Sequence, residues 1–150
     1  MIMTTLKNYE QSLVELFNKQ TRKTKAGDYH KWLADNGETF TTVDKDDSKR
    51  LADEFDCQVK HCFYNAWKIN IEESDYKYYE GLVYAHGIPI SHGWLVKDGK
   101  VIDPTLAVEA LGDNDRFGTE YFGIEIPRSF SKVHKGQIVE SLFRFFLETN

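Results

Sequence analysis

The chain has 150 residues, 41% of them hydrophobic and 14% aromatic, which suits one folded domain over residues 1–150 with a real core. Its formal net charge of −5 argues against a general nucleic-acid binder or a protein drawn to anionic membranes. No apolar run approaches membrane-spanning length, and the start, Met1-Ile2-Met3-Thr4-Thr5, lacks the basic-then-apolar layout of a secretory signal, so a cytoplasmic location is expected.

In chain order, residues 6–19 carry Leu6, Tyr9, Leu13, Leu16 and Phe17 at helical spacing. A polar run over 18–28 ends that helix. Residues 28–40 hold Tyr29, Trp32, Leu33 and Phe40 around the turn signal Asn36-Gly37 and show no clear layout. Residues 44–55 read as a second helix, with Leu51, Ala52 and Phe55 on one face, and 62–69 as a short third one. Residues 76–85 have the aromatic and β-branched content of a strand. Ile88-Pro89-Ile90 leads into a hairpin of 92–97 and 100–103. Residues 121–126 read as another strand, and Ile138, Leu142, Phe145 and Phe146 mark a C-terminal helix. Helices followed by adjacent strands give an α+β order, with flanking N- and C-terminal helices.

The hairpin carries the chemistry. Asp98-Gly99 suits a two-residue turn in which both central residues need positive φ. Lys97 then faces Lys100 and, continuing the register, Trp94 faces Asp103. His92 lies on the face of Asp103 as its diagonal neighbour, roughly 7–8 Å away at the backbone, within reach of side chains. Upstream, Cys62 begins its helix, where free amides and the positive helix end favour a thiolate. Cysteine, histidine and aspartate together follow the logic of an activated thiol, its base and a group that holds the base.

The segment His92-Gly93-Trp94, a short turn, then Val101-Ile102-Asp103-Pro104-Thr105 resembles the His/Asp signature of the transglutaminase-like branch of papain-like cysteine enzymes. The resemblance covers roughly residues 55–126, and the order Cys, His, Asp is the family's. It implies a papain-like/transglutaminase-like core with a cysteine-bearing helix packed on an antiparallel sheet, Cys62 as nucleophile, His92 as general base and Asp103 as orienting group. Where that family often has Gly-x-Cys-Trp, this chain reads Lys60-His61-Cys62-Phe63.

Asn65 and Ala66 share the face of Cys62, and Ala66 and Gly81 would let the helix press onto the sheet. Gln58 is a candidate oxyanion donor by analogy with the wider papain-like group. Its spacing from Cys62 is short, which favours a surface position, and the backbone N–H of Cys62 is the expected donor. Trp94 would wall the site or serve as plain core. Glu80 reads as facing water. His61 points about 100° from Cys62 on the helix, His86 lies in a loop signal, and His30 and His134 have no partner pattern. Cys57 reads as a small buried residue. A zinc site from Cys57, His61, Cys62 and His92 lacks paired short spacings, Asp113-Asn114-Asp115 lacks a calcium-loop pattern, and no phosphate loop is present, so no metal and no cofactor is expected.

These readings lead to a cysteine hydrolase or acyl-transfer enzyme acting on an amide, peptide or isopeptide bond through a thioester. Its expected partner is a peptide or protein substrate; the oligomeric state is left open. Two rivals are a non-catalytic binding module on the same fold, such as a phage or bacterial accessory protein binding a host factor, and an acyltransferase using a small thioester donor.

Overall fold

Asp98 and Gly99 take φ of 52° and 75°, and the turn they make sets Lys97 opposite Lys100. From that turn a computed structural model, describing residues 5–18, 25–85, 87–109, 117–133 and 142–150, builds an α+β fold. The strands are β1 (Glu38–Phe40), β2 (Lys77–Ala85), β3 (Ile88–Lys97), β4 (Lys100–Ile102) and β5 (Glu120–Glu125). They form one curled antiparallel sheet in the order β1-β5-β2-β3-β4. The helices are α1 (Thr5–Asn18), α2 (Lys25–Asn36), α3 (Lys45–Glu54), α4 (Cys62–Glu72), α5 (Pro104–Glu109), α6 (Arg128–Val133) and α7 (Leu142–Thr149). Among the described residues no helix is long and apolar enough to cross a membrane.

Central strand β2 pairs on both sides and is buried on both faces, which explains its nearly unbroken apolar run. Tyr78 and Leu82 join Leu95 and Phe122 in a core that includes Ala66 and Ile69 of α4. Tyr79 and Val83 point the other way, into a second cluster with Trp94, Val96, Val101, Tyr121 and Leu106.

Several elements differ from the sequence reading. The obscure stretch after residue 24 is helix α2 followed by the short edge strand β1. The amide of Gly37 donates to the carbonyl of Leu33 at the end of α2, and a Cβ at Gly37 would lie 2.3 Å from the Phe122 ring. On α1 it is Leu6 and Glu10 that are buried, while Tyr9 and Leu16 are exposed; Glu10 pairs with Nδ1 of His30 at 2.6 Å, giving that histidine a partner. Glu80 is buried, not in water: its carboxylate accepts from the Tyr78 hydroxyl and, at 2.9 Å, from the Leu142 amide that opens α7. Burying a carboxylate is tolerated where donors surround it. Gly81 serves the approach of strand β5, not of a helix, since a Cβ there would meet the Phe122 carbonyl oxygen at 2.2 Å. The glycine that admits α4 is Gly93, where a Cβ would lie 2.9 Å from Cδ1 and 3.4 Å from Cα of Phe63. The readings of His86, Asp113-Asn114-Asp115, His134 and Ile138 fall outside the described residues.

Candidate active site

Cys62 is the first residue of α4. The preceding His61 is its N-cap, exposed, and makes no side-chain capping bond. First-turn amides of an α-helix have no partner within the helix, so those at Cys62 face outward as donors. Asn65, buried one turn on, fixes the loop before the helix. Its Nδ2 donates to the Gln58 carbonyl oxygen at 2.8 Å and to Oγ1 of Thr105 at 2.9 Å, and its Oδ1 accepts from the Gln58 amide at 3.3 Å.

His92 stands on β3 opposite Gly81, which offers no side chain to crowd it. The ring is 5% exposed. Its Nε2 lies 2.9 Å from Oδ2 of Asp103, and the Cys62 sulfur is near enough to favour the charged ring. Trp94 is fully buried, and its ring lies nearly parallel to the imidazole, 16° apart with centroids 6.3 Å from each other. It therefore forms the floor beneath His92.

Asp103 is wholly buried, and the register of the hairpin does not extend to it: the ladder stops at Leu95 opposite Ile102. The chain instead turns at Asp103 into α5. The Asp103 carboxylate caps that helix, its Oδ1 accepting from the Leu106 amide at 3.1 Å, and Pro104 takes the first helical position, where a missing N–H costs nothing. The Asp103 amide donates to Oγ of Ser48 on α3 at 2.9 Å. Tyr121 of β5 donates its hydroxyl to Oδ2 at 2.6 Å. Every Asp103 polar group thus has a partner.

Burial is the largest influence on His92 and disfavours its charge. The Asp103 carboxylate, through charge and hydrogen bond, and the Cys62 sulfur together outweigh it and push the imidazole up to about 10. The direction of that shift favours the doubly protonated ring.

The structure brings Cys62, His92 and Asp103 together. It places Gln58 on the surface, with its side-chain amide donating to the Asp56 carbonyl oxygen at 3.0 Å. Cys57 is buried apart, and its thiol is pushed up to about 11 by burial. Among the described residues, no three His, Cys, Asp or Glu side chains gather as a metal would need.

Four supporting groups escaped sequence reading: Ser48, Thr105, the Leu106 amide and Tyr121. The Asp-Pro pair carried a usable signal for one of them, because an aspartate before a proline is also a helix-start pattern. Tyr121 had no local signal, since it meets Asp103 only through the pairing of β5 with β2. No protein-family model, curated protein or solved structure matches the chain.

Proposed function

We propose that the chain is a cysteine-dependent hydrolase or acyl-transfer enzyme with a papain-like/transglutaminase-like core, acting on the amide or isopeptide bond of a peptide or protein. The observation that carries the reading is the placement of one buried imidazole between a carboxylate and a sulfur at a helix start.

In this reading the Cys62 thiolate attacks the carbonyl carbon, and the oxygen takes the negative charge beside the Cys62 amide. The C–N bond breaks as the His92 imidazolium passes its proton to the departing amine, leaving a thioester. His92, now neutral, takes a proton from water or an acceptor amine as that nucleophile attacks the thioester. The C–S bond breaks, the acyl group leaves as acid or new amide, and the thiolate–imidazolium pair is restored. Asp103 keeps the ring oriented throughout.

Labelling with iodoacetamide near neutral pH, followed by peptide mapping, tests this reading. Fast modification at Cys62, with Cys57 spared, is the expected result. Equal slow reaction at both thiols would favour a binding module with an inert thiol.

A further inference from the structure

The Asp103 carboxylate divides its work unevenly. Oδ1 receives one amide, from Leu106, while Oδ2 receives both His92 Nε2 and the Tyr121 hydroxyl. The hydroxyl cannot easily turn away, because its oxygen also accepts the Gly118 amide at 3.2 Å. That amide occupies an acceptor direction and leaves the O–H proton aimed at Asp103. All three side chains are buried, so water does not level their competition.

We propose that Tyr121 is a positioning residue that sets how strongly Asp103 supports the charged form of His92. Two donors on one oxygen share its negative charge. The tyrosine hydroxyl draws density from Oδ2, so the imidazolium is held less tightly than a lone Asp–His pair would hold it. An imidazolium held less tightly is a better acid, and proton delivery to a leaving amine is what a general acid must do. The same bond, with the Leu106 amide on the opposite oxygen, fixes the carboxylate rotamer. The catalytic meaning of this inference rests on the triad reading; the effect on His92 does not.

Among the described residues, few groups face His92. They are Asp103 beyond the end of β4, Tyr121 from β5 and Cys62 from α4. Trp94 lies against the ring without a titrating group, Gly81 of β2 stands opposite, and the Ser48 hydroxyl of α3 meets Asp103 at its backbone amide. The Tyr121 ring also meets the His92 ring, so a replacement that keeps the ring and alters the hydroxyl is the one that reaches His92 through Asp103.

The test is an NMR titration of the His92 ring in the whole protein, with two replacements of Tyr121. Tyr121→Phe removes the hydroxyl and should raise the His92 midpoint by roughly half a unit or more. Site-specific 3-fluorotyrosine at 121 is a stronger hydrogen-bond donor and should lower it. Opposite signs support the inference, and any other pair of signs overturns it. Should Tyr121→Phe fail to fold, the direction of the fluorotyrosine shift decides alone. Iodoacetamide mapping of the same unmodified protein separates the two ideas. If Cys62 labelling is fast and His92-dependent yet the midpoints do not move as stated, the Tyr121 inference falls alone. If the midpoints move but Cys62 is inert, the enzyme reading falls and the tuning stands.

Discussion

Asn65 on the cysteine helix donates to Thr105 on the helix capped by Asp103, at 2.9 Å and fully buried. One hydrogen bond therefore joins the element that carries the sulfur to the element that carries the acid. Asn65→Ala would leave the Gln58 amide and carbonyl and the Thr105 hydroxyl short of partners. A loss of about 2–3 kcal/mol in stability is expected in urea denaturation. Thr105→Val removes only one partner and keeps the shape, so about 1 kcal/mol is expected, together with slower alkylation of Cys62. Unchanged alkylation in both variants would mean that this link does not position the sulfur.

Gly93→Ala tests the approach of α4 to the sheet. The added methyl would meet Phe63, the residue after Cys62, at 2.9 Å. The helix start must shift, and a cost of about 1–3 kcal/mol with slower Cys62 alkylation is expected. Adding Phe63→Leu to Gly93→Ala should recover part of both, because it clears the ring that the methyl strikes. No recovery would place the strain elsewhere.

Asp103→Asn addresses the orienting group. The amide keeps the shape but cannot supply the charge that offsets the burial of His92, and its NH2 end cannot accept from Nε2. The His92 imidazole, pushed up to about 10 with Asp103 beside it, should titrate well below that value in the variant. Turnover should drop strongly while cooperative unfolding is kept. A midpoint left near 10 would show that Asp103 is only a helix cap.

Much of this site was readable in the chain. The Asp98-Gly99 pair implies the hairpin, and the hairpin brings His92 and Asp103 to one side, because turn chemistry and strand alternation are local rules. What local rules missed were contacts between distant segments. Glu80 looked like a solvent-facing residue in its strand. It is buried because α7, 62 residues on, brings an amide to it. The pairing of Trp94 with Asp103 failed for a local reason: the pull of Asp103-Pro104 toward a helix start outweighed continuation of β4.

Stability should also report His92. A folded-state value raised to about 10, against an unfolded value near 6.5, means that its contribution is fully present below pH 6.5. The contribution is lost as pH rises through about 10. The stability difference between the native chain and His92→Gln, from denaturant melts at several pH values, should shrink between those limits. A difference that grows with pH would mean that His92 is buried neutral.

The most direct test of the account is the rate of iodoacetamide modification at Cys62 against pH, in the native chain and in His92→Gln. A sulfur paired with an imidazolium reacts well into mildly acidic solution. The native chain should therefore react faster at pH 6 by about tenfold or more, with the two rates converging in alkaline solution. Superimposable profiles would contradict the account and leave Cys62 an ordinary thiol beside a buried histidine.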